Sequence, residues 1–172
     1  MSKNPTAASR LKRYAAIGMA LIAACFGFSS ESGAETPKPD KRVAIVIDDL
    51  GNDMAGTEEV MNAPVKLTVA VMPFLPTTKR DAEWAHRVGH DVIVHLPMEP
   101  LRGRRKGLGP GAITTDLPDD EIRSRVRKAI DDVPYAVGIN NHMGSKATAD
   151  KRVMRIVMEV CKERWLFFLD IN

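Results

Sequence analysis

At 172 residues, 27% charged and 44% hydrophobic with 5% aromatic residues, 12 Gly and 11 Pro, the chain has a globular composition, neither disordered nor collagen-like. That length accommodates one domain of ordinary size with a buried core and excludes a second large one. The formal net charge of +3 arises near the start: leaving out Lys3, Arg10, Lys12, Arg13 and Glu31 takes 25 basic and 22 acidic residues to 21 of each, so charge offers no case for a nucleic-acid partner.

The first element is a targeting segment. Lys12-Arg13 precedes an apolar run from Tyr14 to Phe28, and Ser32-Gly33-Ala34 supplies small residues of the type a signal peptidase reads. The run is short for a bilayer span. Residues 1–34 therefore read as a secretory signal, which predicts an exported protein, periplasmic or envelope-associated in a bacterium. Two rivals stay open within it. Ile22-Ala23-Ala24-Cys25 resembles a lipobox, although apolar residues continue past Cys25, and an uncleaved anchor is the third reading. Contact with a membrane is expected only through this signal or through lipidation at Cys25. Residues 35–42, with Pro37, Pro39 and mixed charges, read as a linker.

The body, from residue 43 to residue 172, alternates strand and helix. Val43-Ala44-Ile45-Val46-Ile47 is a continuous, mostly β-branched run that suits a strand buried on both faces. A short helix is predicted around Met54 to Asn62, then a strand from Leu67 to Met72 stopped by Pro73. Thr77 or Thr78 can cap a helix ended by Gly89, and Asp91 to Leu96 forms the next strand. After a Gly, Pro and Arg-rich loop, a helix begins at Asp119 or Asp120 and stops before Pro134. Ala136 to Ile139 is a strand, Ala149 to Arg164 a helix, and Leu166 to Leu169 a fifth strand. Val153, Ile156, Val157, Val160 and Cys161 fall on one helical face, which makes Cys161 a small buried hydrophobe rather than a nucleophile. The alternation implies a parallel sheet with right-handed crossovers. Periodicity alone leaves an open sheet and a barrel equally available. The chain also reaches Asn172 three residues after its fifth strand, which reads as a truncated α/β domain.

In parallel α/β folds ligands bind at the carboxyl ends of the strands. Those positions carry Asp48 and Asp49, then His95 and Glu99, then Asn140, Asn141 and His142, and finally Asp170. Carboxylates and imidazoles converging from separate strands suit a divalent cation. A catalytic zinc takes three protein ligands and keeps a position for water, whose pKa it lowers to about 7. Each residue also has a plainer role. An Asp pair after a strand can be a helix N-cap, His95 an interior histidine, Asn140 and Asn141 turn formers, and Met98 and Met143 packing residues. His86 and His90 flank the end of the second helix, where a cation suits the dipole, and receive no chemistry.

Three blocks carry a resemblance: Ile47-Asp48-Asp49-Leu50-Gly51, His95-Leu96-Pro97-Met98-Glu99-Pro100, and Val137-Gly138-Ile139-Asn140-Asn141-His142-Met143-Gly144-Ser145 followed by Thr148. Together they resemble the signature blocks of the divergent polysaccharide deacetylase family, within the glycoside hydrolase/deacetylase β/α-barrel superfamily. The resemblance implies a distorted (β/α) barrel, here truncated after its fifth strand. It implies Asp48 as general base and Asp49, His95 and His142 as ligands of a divalent metal, zinc first. Ordinary polysaccharide deacetylases take both histidines from one H-x-x-x-H motif. Here the fourth position after His95 is Glu99, leaving Glu99 as a further ligand or as the residue orienting His95, and Asn141 in a similar secondary position.

The activity implied is hydrolysis of the acetamide of an N-acetylated polysaccharide in the cell envelope, with a glycan as partner. No residue here matches the late histidine that serves ordinary members as general acid. A non-catalytic carbohydrate-binding or envelope-associated module is the alternative, and a phosphatase or nuclease a third reading. No basic cluster tracks the strand ends to support the third. Arg102, Arg104, Arg105 and Lys106 lie in the Gly-rich loop, where a solvated surface is the plain reading and an anionic glycan contact the other.

Overall fold

A computed structural model describes residues 41–103 and 107–171. The segment read as a signal, Cys25, most of the linker, Arg104, Arg105, Lys106 and Asn172 lie outside the described residues. Among the described residues five strands alternate with four helices: β1 Val46–Leu50, α1 Thr57–Met61, β2 Thr68–Val71, α2 Thr78–Arg87, β3 Asp91–Met98, α3 Asp119–Asp132, β4 Ala136–Met143, α4 Lys151–Glu163 and β5 Phe167–Leu169. The sheet is parallel throughout, and its order follows the chain, β1-β2-β3-β4-β5. That order has no reversal point of the doubly wound kind and is the order of a (β/α) barrel.

The sheet is strongly rolled. In a flat sheet β1 and β4, three spacings apart, would be separated by about 14 Å, yet Asn140 Nδ2 on β4 donates to Asp48 Oδ1 on β1 at 2.8 Å. Two short side chains meet there only if the sheet curls toward them. The expected barrel is thus present as strand order and curvature. Among the described residues the sheet does not close, and β1 and β5 are its two ends.

Strand alternation assigns the faces. Val92, Val94, Leu96 and Met98 of β3 join Val69, Val71 and Ile139 in one core with Val153, Ile156, Val157, Val160 and Cys161 of α4. Burying each such aliphatic side chain contributes about 1.5–3 kcal/mol. The intervening positions, His95 on β3 and Asn140 and His142 on β4, face the concave side. Asp150 caps α4 by accepting from the amides of Arg152 and Val153 at 2.9 and 3.1 Å.

Three expectations need correction. The first strand runs Val46–Leu50 rather than Val43–Ile47 and is not buried on both faces. Val43 is 87% exposed, because it lies ahead of β1, and β1 itself has a neighbour on one side only among the described residues. The fourth strand continues past Ile139 to Met143, since Leu96, Pro97 and Met98 supply pairing partners for Asn141, His142 and Met143, and tertiary pairing overrides the weak strand propensity of Asn. His90 is no dipole partner. It is buried, its Nδ1 accepts from the Leu67 amide and its Nε2 lies against the Val60 carbonyl, both at 3.2 Å. His86 stacks on Tyr135 with centroids 3.9 Å apart.

Cys161 is as inert as its helical position implies. It is 1% exposed, and burial pushes its thiol up to about 11, so little thiolate exists at neutral pH. Iodoacetamide at pH 8 is expected to leave Cys161 unmodified in the folded protein and to alkylate it in denaturant, read by peptide mapping. Rapid native labelling would contradict this burial.

Candidate metal centre

The site begins with an irregularity in β1. Its register against β2 shifts between Ile47 and Leu50, so three steps along β1 match two along β2. Asp49 takes up the extra residue with φ 66°, in the left-handed region. Consecutive strand residues ordinarily point to opposite faces. This bulge turns both carboxylates toward β3: Asp48 Oδ1 lies 3.7 Å from His95 Nδ1, and Asp49 Oδ1 lies 3.2 Å from His95 Nε2. The N-cap explanation of the pair fails, because the N-cap of α1 is Gly56, well beyond it.

The turn after the bulge is fixed from below. Asp81 of α2, fully buried, accepts from the Gly51 amide at 3.1 Å and from the Thr77 hydroxyl at 2.7 Å. Gly51 has φ 113°, and a Cβ there would stand 2.9 Å from the Met72 carbonyl oxygen. Only glycine fits that conformation without strain.

His142 arrives from β4. Its Nδ1 lies 3.0 Å from Asp49 Oδ1 and 3.2 Å from His95 Nε2. Asp49, His95 and His142 thus form a triangle of potential ligand atoms with edges of 3.0 to 3.2 Å. Ligands on a tetrahedral zinc, bonded at roughly 2.0–2.1 Å, sit about 3.3 Å from one another. The donor set, two imidazoles and one carboxylate, also suits zinc. His95 is 2% exposed while the Asp49 side chain is 52% exposed, so the triangle is closed below and open to solvent above. Burial pushes the His95 imidazole below its ordinary value, against the opposing pull of Asn140, Asp48 and Asp49. That shift favours the neutral imidazole, the form that ligates a metal.

The remaining expected residues lie elsewhere. Glu99 is buried, but its Oε2 accepts from the amide and hydroxyl of Thr115, each at 2.8 Å, and its Oε1 faces Lys146 Nζ at 3.0 Å. Its carbonyl accepts from the amides of Lys146 and Ala147. Glu99 therefore braces the loops that follow β3 and β4 and is not in the triangle. Orientation of His95 falls instead to Asn140, whose Oδ1 stands 2.8 Å from His95 Nδ1. Asn141 points to the helix face, where it donates to the Met143 carbonyl and accepts from the Ile171 amide. It holds the chain as it turns at Met143 and Gly144, both at positive φ. Asp170 is exposed and outside the triangle. Asn140 stands among the strand-end residues of the sequence but carries no assigned role there beyond that of a turn former. The i, i+2 relation to His142 was the available signal, once β4 is allowed to continue past Ile139.

Comparison with known proteins gives a consistent pattern. Residues 45–172 match the profile of the family described as divergent polysaccharide deacetylase. The chain is 39% identical over 143 residues to the uncharacterized protein YibQ of Escherichia coli K12, covering 83% of this chain and 44% of that protein. It is 34% identical over 129 residues to an uncharacterized protein of Haemophilus influenzae, covering 75% and 45% respectively. The chain therefore spans about half the length of these curated relatives. Its fold resembles the crystal structure of the uncharacterized protein ATU2773 from Agrobacterium tumefaciens C58, with a TM-score of 0.71, 24% identity, and 78% of this chain and 55% of that one covered.

Proposed function

The chain belongs to the divergent polysaccharide deacetylase family, and from that premise we propose that it is a metal-dependent hydrolase removing acetyl groups from an N-acetylated polysaccharide of the cell envelope. The single observation that carries this reading is the convergence of Asp49 Oδ1, His95 Nε2 and His142 Nδ1 within 3.2 Å of one another, with Asp48 alongside. Asp49, His95 and His142 would hold a divalent metal, zinc by donor type. When bound, such an ion supplies Lewis acidity and a water acidified to a pKa of about 7.

Asp48 is the base. Its carboxylate sits beside the ligands without joining the triangle, and the Asn140 amide holds it by one oxygen. It takes a proton from the water that attacks the acetamide carbon, forming the C–O bond, and returns that proton to the nitrogen as the C–N bond breaks, so that the amine and acetate depart. General-base assistance contributes on the order of 10²–10⁴ in rate. Export rests on the reading of residues 1–34 as a secretory signal; among the described residues no helix is long and apolar enough to cross a membrane.

A non-catalytic glycan-binding module is the second reading. Its ground is the open face of the site, where the Asp49 side chain is 52% exposed and a glycan could dock whether or not it is cleaved. Acetate release from N-acetylated oligosaccharides by the zinc-loaded protein separates the two. The hydrolase reading expects release, and Asp48→Asn should keep stoichiometric zinc while losing about 10²–10⁴ of turnover. Undiminished turnover would remove Asp48 as base, and glycan binding without acetate release would establish the module.

A further inference from the structure

Resting on the metal-site reading above, we infer that Asn140 is a positioning residue whose single amide fixes both the tautomer of His95 and the orientation of Asp48. Its Oδ1 lies 2.8 Å from His95 Nδ1, and its Nδ2 lies 2.8 Å from Asp48 Oδ1. The amide is fully buried and sits between the two partners.

The direction of these bonds follows from chemistry. An ionised carboxylate accepts and never donates, so the amide NH2 must face Asp48. The amide oxygen then faces His95 Nδ1, which must carry a hydrogen and donate. A neutral imidazole has one N–H, so Nε2 is left with a bare lone pair. Nε2 is the atom 3.2 Å from Asp49 Oδ1 and 3.2 Å from His142 Nδ1. The chain Asp48, Asn140, His95 therefore presets the ligand lone pair before any ion arrives. It also locks the base to the ligand as one unit, although Asp48 and the Asn140 that bridges it to His95 lie 92 positions apart. Second-shell groups of this type commonly govern metal affinity by 10–100-fold.

The same logic identifies a rearranged set that should work. In Asp48→Asn/Asn140→Asp the carboxylate and the amide exchange places. The carboxylate now at 140 accepts from His95 Nδ1–H and from the amide at 48, with unchanged net charge. In Asn140→Asp alone two carboxylates confront each other, and in Asn140→Leu both bonds vanish.

The tautomer is read in metal-free protein by long-range 1H–15N correlation on 15N-histidine-labelled samples, and zinc affinity by chelator competition. The parent and the exchanged double variant are expected to show His95 as the Nδ1–H tautomer, with zinc dissociation constants agreeing to within about threefold. Asn140→Leu should lose the pure Nδ1–H signature and weaken zinc binding by about 10–100-fold, whereas Asn140→Asp should keep Nδ1–H, its carboxylate still accepting from that nitrogen, and lose only the bond to Asp48. The exchanged variant should still release no acetate, lacking its base. An Nε2–H tautomer in the parent, or an unchanged tautomer in folded Asn140→Leu, overturns the inference whatever the metal does. If Asn140→Leu does not fold, the parent decides the matter, Nδ1–H upholding the inference and Nε2–H overturning it. A correct tautomer in a parent that binds no zinc would instead overturn the metal-site reading and leave the role of Asn140 standing.

Discussion

Asp49→Gly is expected to abolish stoichiometric zinc binding while leaving a metal-free protein more stable than Asp49→Ala by about 1 kcal/mol, a difference of about 4 °C in melting temperature. Both variants delete the same ligand oxygen, the one 3.2 Å from His95 Nε2 and 3.0 Å from His142 Nδ1, so both should weaken zinc by at least about 10²-fold. They differ only in backbone. Asp49 sits at φ 66°, where Ala meets the Cβ clash of the left-handed region and Gly does not. The extra freedom of Gly in the unfolded chain offsets part of that gain. Calorimetric melts of the two apo-proteins, beside zinc titrations, check both halves. Equal melting temperatures would mean that the bulge relaxes around alanine and stores no strain.

Gly51→Ala is expected to destabilise the fold by about 2–4 kcal/mol. Its Cβ would enter 2.9 Å from the Met72 carbonyl oxygen, at φ 113°. Neither contact is easily relieved. The Met72 amide is itself bonded to the Leu50 carbonyl at 2.8 Å, and the Gly51 carbonyl accepts from the Thr77 amide at 2.9 Å. Because Gly51 follows the bulge closely, its displacement should also carry Asp49 away from the imidazoles and weaken zinc. A denaturant titration gives the stability directly. A midpoint unchanged from the parent would show that the turn has room its geometry does not reveal.

The alternation of apolar strands with amphipathic helices was readable because burial imposes it residue by residue, and all nine elements recur in the structure within a few positions. Asp49, His95 and His142 were legible because parallel α/β folds display ligands at strand ends. What escaped is tertiary in origin. Nothing local marks Asp49 for a bulge. The register shift exists because β2 fixes Val69 against Ile47 and Val71 against Leu50. Asn140 read as a turn former, since Asn favours turns in isolation, whereas pairing with His95 keeps it in β4 and buries it. Glu99 drew attention by its spacing from His95, yet Thr115 and Lys146 claim its carboxylate. The exposed first residues of the Val43 run reflect their place at the sheet's end, which periodicity cannot sense.

The curl of the sheet also dictates when in folding the site can exist. His95 and His142 are separated by 47 positions, and Asp48 and Asn140 by 92, so no local fragment, hairpin or single βαβ unit contains the full donor set. Closing loops of that length is entropically unfavourable until strand pairing has already joined them. A nascent or partly melted chain therefore presents scattered, weak ligands to passing cations, and any tight hold on an ion would be a property of the finished topology. Any ion captured there ties the first strand to the fourth, rewarding only the native arrangement.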